Sequence, residues 1–143
     1  MLRSSVAETG GRPTTILVVD DEPAILALVR TMLWRAGFTV LEASGGEQAL
    51  GIAKQHELPI QLLLTDVLMP DMNGHDLAGK VTAARPEAKV LFMTGYRDKV
   101  VVESTGRPVS EASLIRKPFT AHNLVAKIEE VLGELASPAP QQP

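Results

Sequence analysis

Four short apolar runs in this chain each end in a residue able to do chemistry. Asp20 and Asp21 follow Ile16-Leu17-Val18-Val19, and Asp66 follows Ile60–Thr65. Thr94 follows Val90-Leu91-Phe92-Met93, and Lys117-Pro118 follows Ala112–Arg116. Three carboxylates and one ammonium carry a formal −2, which is repulsive when left alone and which a hard divalent cation with oxygen ligands neutralises. Mg2+ fits such a set, because it uses few carboxylates, keeps waters and borrows phosphate oxygens. A carboxylate is also a nucleophile that forms an aspartyl phosphate. Asp66 is the only acid of the three on the third, central run, so it is the expected attacking group. The metal, Thr94 and Lys117 would then hold the equatorial oxygens of a transferring phosphoryl group.

Each of these residues taken singly has a plainer use. An Asp after a strand is more often a turn former or a helix cap than a nucleophile. Asp20 or Asp21 suits the cap of a first helix, Thr94 the cap of a later one, and Lys117 before a proline suits a solvated loop. The joint placement at four strand ends outweighs these separate uses.

The elements that must position the set are legible as an alternation. Ile16–Val19 reads as a strand covered on both faces. Ile25, Leu28, Val29, Met32 and Leu33 then recur as one helix face, with Pro23 suited to its first turn and Gly37 to the position past its end. Phe38–Ala43 is a mixed-polarity strand suited to a sheet edge. Ser44-Gly45-Gly46-Glu47 has capping-box spacing before a weak helix carrying Ala49, Leu50 and Ala53. Ile60–Thr65 is the third strand, followed by a helix marked by Leu77, Val81 and Ala84. Val90–Met93 is the fourth strand and Ala112–Arg116 the fifth. The last helix carries Leu124, Ile128, Val131, Leu132 and Leu135 as a stripe. Alternation calls for a helix over 96–110 as well, but Val100-Val101-Val102, Gly106 and Pro108 make it short and labile. Five strands alternating with helices predict an α/β domain, a parallel sheet with right-handed crossovers and helices on both faces. In such a sheet the ligand site lies beyond the carboxyl ends of the strands, where all five residues fall.

Composition sets the outer bounds. A chain of 143 residues with 45% hydrophobic content makes one domain with a real core. Residues 1–13 read as a flexible polar arm, 14–135 as the domain, and 136–143, rich in Pro and Gln, as a disordered tail. Fourteen basic against 17 acidic side chains exclude a polycationic nucleic-acid surface. The absence of cysteine excludes thiolate metal sites and Cys nucleophiles. No signal peptide or spanning segment is visible, so the expected location is cytoplasmic, without a membrane partner. His56, His75 and His122 lack metal-ligand spacing and read as surface residues. Gly45-Gly46 is too short for a phosphate-cradling loop. Met69 and Met72 read as loop anchors, and Trp34 lies late in the first helix, away from the site.

Ile16-Leu17-Val18-Val19-Asp20-Asp21-Glu22-Pro23 resembles the opening of bacterial response-regulator receiver domains. Asp66-Val67-Leu68-Met69-Pro70-Asp71-Met72-Asn73-Gly74 resembles their phosphoacceptor loop, Leu91-Phe92-Met93-Thr94-Gly95-Tyr96 their fourth strand and Lys117-Pro118-Phe119 their fifth. The resemblance covers about residues 14–135. It implies a flavodoxin-like sheet of order 2-1-3-4-5. It makes Asp66 the phosphoacceptor, served by a sensor histidine kinase or a histidine phosphotransfer protein. It assigns Mg2+ to Asp21, Asp66 and the main-chain carbonyl of Leu68, with Asp20 acting largely through a coordinated water. Thr94 would hydrogen-bond the phosphoryl oxygen and Lys117 would pair with it. The implied role is a phosphoacceptor switch that catalyses only its own phosphorylation and slow dephosphorylation. It would switch contacts with an unknown downstream protein or relay its phosphoryl group onward, with a phosphorylation-dependent dimer left open.

Two positions depart from the family pattern. Leu114 stands where an aromatic often sits, three before the lysine, so the usual ring swing has no ring. Leu68 and Tyr96, two after Asp66 and Thr94, offer no carboxylate or amide to orient an attacking water, which implies slow loss of phosphate. Only eight residues follow Leu135, so the sequence predicts a single-domain regulator without an appended output domain. The competing readings are an Asp-nucleophile Mg2+-dependent phosphatase, which generally needs a second acid where Leu68 stands, and a receiver fragment of a hybrid kinase.

Overall fold

A computed structural model of the chain describes residues 8–9, 12–95 and 113–136. A five-stranded parallel sheet is formed by β1 (Thr15–Val19), β2 (Thr39–Ala43), β3 (Leu62–Asp66), β4 (Lys89–Thr94) and β5 (Leu114–Arg116). Its spatial order is β2-β1-β3-β4-β5, the 2-1-3-4-5 arrangement that the resemblance implied. The helices are α1 (Pro23–Arg35), α2 (Gly46–Gln55), α3 (Gly74–Ala84) and α4 (Ala121–Ala136). Ahead of the sheet, Glu8–Thr9 pairs antiparallel with Arg12–Pro13 in a two-residue ribbon.

The sheet separates two cores, as the period-2 geometry of its buried strands requires. Ile16, Val18, Leu62, Leu64, Leu91 and Met93 point to the face covered by Val29 and Leu33 of α1 and by Leu124 and Ile128 of α4. Leu17, Val19, Leu63 and Phe92 point to the other, under Ala49 and Ala53 of α2 and Leu77 and Val81 of α3. β1 and β3 are buried along their whole length, so neither tolerates a register slip, which would exchange one packed face for the other.

α1 starts at Pro23, where a missing N–H costs nothing. It ends as the sequence predicts. Gly37 has a positive φ of 97°, its N–H donates to the Trp34 carbonyl and the Phe38 N–H to that of Leu33. Phe38 and Leu33 are both buried in the same core, which fixes the angle at which the chain enters β2.

Three expectations are corrected. Leu28 is 49% exposed, so the apolar face of α1 is narrower than its period-3.6 pattern indicated. Ser44 and Glu47 make no capping box. The Ser44 N–H and hydroxyl both donate to Gln48 Oε1, at 2.8 and 3.0 Å, and the N-cap position belongs to Gly45. His75 is not a plain surface residue, since its ring lies 4.8 Å from that of Phe92, and His56 is half-buried too. The labile helix expected over 96–110, with Tyr96, lies outside the described residues.

Candidate functional site

The carboxyl ends of β1, β3, β4 and β5 deliver Asp20, Asp66, Thr94 and Lys117 to one edge of the sheet. Asp20 follows β1 and is fully buried, with its N–H donating to the Ala43 carbonyl of β2 at 3.2 Å. One of its oxygens, Oδ1, accepts the Glu22 N–H at 2.9 Å and so closes the turn into α1. The other, Oδ2, lies 3.1 Å from Lys117 Nζ.

Asp66 is the last residue of β3 and only 5% exposed. Its Oδ1 accepts the Val67 N–H at 2.9 Å and stands 3.5 Å from Lys117 Nζ. Lys117 is thus held between two buried carboxylates that come from non-adjacent parts of the chain. Its own N–H donates to the Thr94 carbonyl at 2.7 Å, which couples β5 to the end of β4. Thr94 is itself buried.

Asp21 is exposed, yet one oxygen each of Asp20, Asp21 and Asp66 lie within 4.8 Å of one another. Three carboxylates facing one lysine leave net negative charge in a partly dry site. A group of hard oxygen donors at this spacing fits a divalent cation of the Mg2+ type, and neighbouring carboxylates at this separation are costly without one. Asp20, Asp21 and Asp66 are therefore the side chains that could hold a metal.

The loop from Val67 to Asn73 is fastened tightly to Asp66. The Gly74 N–H donates to the Val67 carbonyl at 2.8 Å. A side chain at Gly74 would collide with the Asp66 carbonyl oxygen and come within 3.0 Å of Val67 Cα, so only glycine allows this approach. Asn73 caps α3, its side chain accepting the Asp76 N–H at 2.8 Å. Met69 is buried in the core below and Met72 packs against it, as the sequence expected of loop anchors.

All the acids and bases singled out in the sequence converge here. Leu68 is half-buried in the loop, two residues after Asp66. Leu114 lies in register beside Phe92 and packs against the core under α2 and α3. Asp71 went unnoticed in the sequence. Its two oxygens accept the N–H groups of Gly46 and Glu47, each at 3.1 Å, at the start of α2. Those bonds, from Glu47 first and Gly46 second, hold its carboxyl below the usual value. No local pattern marks a cap whose helix began 25 residues earlier.

A family model described as "Response regulator receiver domain" matches residues 16–129. The chain belongs to that family. It is 32% identical over 117 residues to the response regulator receiver protein CpdR of Brucella abortus, covering 82% of this chain and 95% of CpdR. It is 31% identical over 122 residues to the probable transcriptional regulatory protein TcrX of Mycobacterium tuberculosis, covering 85% of this chain but 51% of TcrX. The receiver thus spans about half the length of the transcriptional regulators it matches. Among solved structures it is similar to a CheY-like response regulator receiver domain protein of Methanospirillum hungatei, with a TM-score of 0.70 at 31% identity. That match covers 85% of this chain and 94% of the other. Among the described residues, no helix of this receiver is long and apolar enough to cross a membrane.

Proposed function

We propose that this receiver is a phosphoacceptor switch whose Asp66 takes a phosphoryl group from a phosphohistidine of a sensor histidine kinase or a histidine phosphotransfer protein. The observation that carries this reading is Lys117 Nζ bridging Asp20 and Asp66, at 3.1 and 3.5 Å, inside a three-carboxylate cluster. In the transfer, a carboxylate oxygen of Asp66 bonds to phosphorus while the phosphorus–nitrogen bond of the donor breaks. The bonding pair returns to the imidazole nitrogen, and a proton from solvent restores neutral histidine. Lys117 turns from the carboxylates toward the new phosphoryl oxygens, and the Thr94 hydroxyl donates to another, so both oppose charge that grows during transfer. Asp21, Asp66 and the Leu68 carbonyl would hold Mg2+, with Asp20 acting through a water. When bound, the ion neutralises the cluster and the phosphoryl oxygens.

On this reading the chain turns over no substrate of its own, acts in the cytoplasm, and passes its state to a downstream protein by contact. The folded unit is 14–135, flanked by an arm over 1–13 and a tail over 136–143. The test is intact-protein mass spectrometry after incubation with acetyl phosphate, with and without Mg2+. A single phosphoryl adduct is expected on wild type with Mg2+ and none on Asp66→Ala. An adduct that persists in Asp66→Ala, or rapid turnover of donor with no adduct, would overturn the assignment.

A further inference from the structure

The Val67–Asn73 loop is pinned at its two ends, by the Gly74–Val67 bond and by the Asn73 cap. Between them, over 68–72, the only hydrogen bonds that reach another element among the described residues are the two that Asp71 accepts from the N–H groups of Gly46 and Glu47 in α2. They are charge-assisted, and they sit at the positive end of a helix, so they are strong for so exposed a residue. A separate contact supports the same junction. A Cβ placed on Gly46 would lie 2.8 Å from Met72 Sδ and 2.9 Å from Met72 Cβ, and one on Gly45 would lie 3.2 Å from both Asp71 oxygens. The Gly45-Gly46 pair therefore exists to let residues 71–72 approach the first turn of α2.

We propose that Asp71 is a positioning residue for the metal site, clamping the loop onto α2 so that the Leu68 carbonyl is held at a fixed place beside Asp66. The inference rests on the reading of Asp21, Asp66 and Leu68 as Mg2+ ligands. A main-chain ligand has no rotamer to search with, so its placement depends wholly on how the loop is held. Only Met69 and Pro70 separate the clamp from the carbonyl, and Pro70 stiffens the path between them. The clamp pre-organises the loop before the ion arrives, as groups behind metal ligands do.

The test is an NMR titration of the metal-free protein with MgCl2, following the amides of residues 66–74, together with thermal unfolding. Asp71→Ala is expected to weaken Mg2+ binding about tenfold, the low end of what loss of a supporting group costs. Asp71→Asn keeps one acceptor oxygen and is expected to fall between Asp71→Ala and wild type. Arg85→Ala is the control, because Arg85 Nε donates to the Ala53 carbonyl at 2.7 Å and steadies the other end of α2. It is expected to lower the melting temperature and leave Mg2+ affinity unchanged. Equal affinity in wild type and Asp71→Ala, or an equal loss in Arg85→Ala, would overturn the proposal and leave Asp71 a helix cap only. A wild type whose amides ignore Mg2+ would overturn the underlying metal reading as well, a result distinct from either of these.

Discussion

On the proposed phosphoacceptor reading, Leu68 puts an isobutyl group where an attacking water would need a hydrogen-bonding partner. It is half-buried in the loop after Asp66, and it has no polar side-chain atom to hold that water in line. Replacing it by Asn adds both a donor and an acceptor. Leu68→Asn is expected to speed loss of the phosphoryl group by roughly tenfold, since orienting a water is worth less than full general-base catalysis. The decay of the intact-mass adduct measures this directly, and equal lifetimes in the two proteins would overturn the expectation that Leu68 slows the loss. At this scale most of the site was legible from the chain. Asp66, Thr94 and Lys117 each follow an apolar run, and a strand's end is set by local pattern. Asp71 was not legible, because its partners are 24 and 25 positions away and nothing local distinguishes it from a turn aspartate.

Among the elements, α2 joins a small buried face to polar contacts at both of its ends. It buries only Gly46, Ala49 and Ala53. Its N-terminus leans on Asp71, and its C-terminal end on Arg85, which bonds the Ala53 and Leu58 carbonyls and pairs with Glu87 at 3.4 Å. The Asp71 carboxyl titrates below its ordinary 3.8 in the folded protein, owing to the Glu47 and Gly46 N–H bonds. Its contribution is therefore fully present above the unfolded value and is lost as pH falls through the lower folded one. Burial works to raise Glu87, but its own N–H, the Ile60 N–H and Arg85 outweigh that and leave it lowered, so it adds a loss of the same sign. Glu87 is common to wild type and Asp71→Asn, and their difference isolates Asp71. The gap in melting temperature is expected to be constant above about pH 5 and to close below the ordinary carboxylate range. The sequence predicts the helix itself but points to Ser44 and Glu47 for its cap. The four-residue reach from Ser44 to Gln48 won instead, and an aspartate from a distant loop took the N-terminus. Leu28 shows the same limit, because periodicity marks which side chains share a face but not how wide the neighbouring helix is.

Across the whole molecule, the site opposes the fold that builds it. Three carboxylates gathered at one sheet edge repel one another, and Lys117 offsets only part of that charge. Asp21 is the exposed member and makes no bond that holds a turn, so it separates the two effects. In EDTA, Asp21→Asn is expected to melt roughly 2 °C higher than wild type, a surface-charge effect on a domain of this size. With millimolar Mg2+ the order is expected to reverse, because binding stabilises wild type by mass action and the variant binds less. Thermal scans in the two buffers decide it, and an unchanged order would mean the carboxylates are already balanced without an ion. The architecture was open to sequence reading because β1 carries the apolar run Ile16–Val19 and β3 the run Leu62–Leu64. The ribbon of Glu8–Thr9 with Arg12–Pro13 was not, since two-residue strands carry no period.

Asp20 and Lys117 touch across 97 positions of chain, and the two flank the sheet's first and last strands. Contacts of such separation form late, because closing so long a loop costs entropy that only near-native packing repays. The site is therefore expected to be completed only when β5 docks. A chain still emerging from the ribosome without β5 carries Asp66 but lacks the lysine beside it. If Asp66 is the phosphoacceptor proposed above, such an unfinished chain is expected to be a poor acceptor, so that only finished molecules take the phosphoryl group.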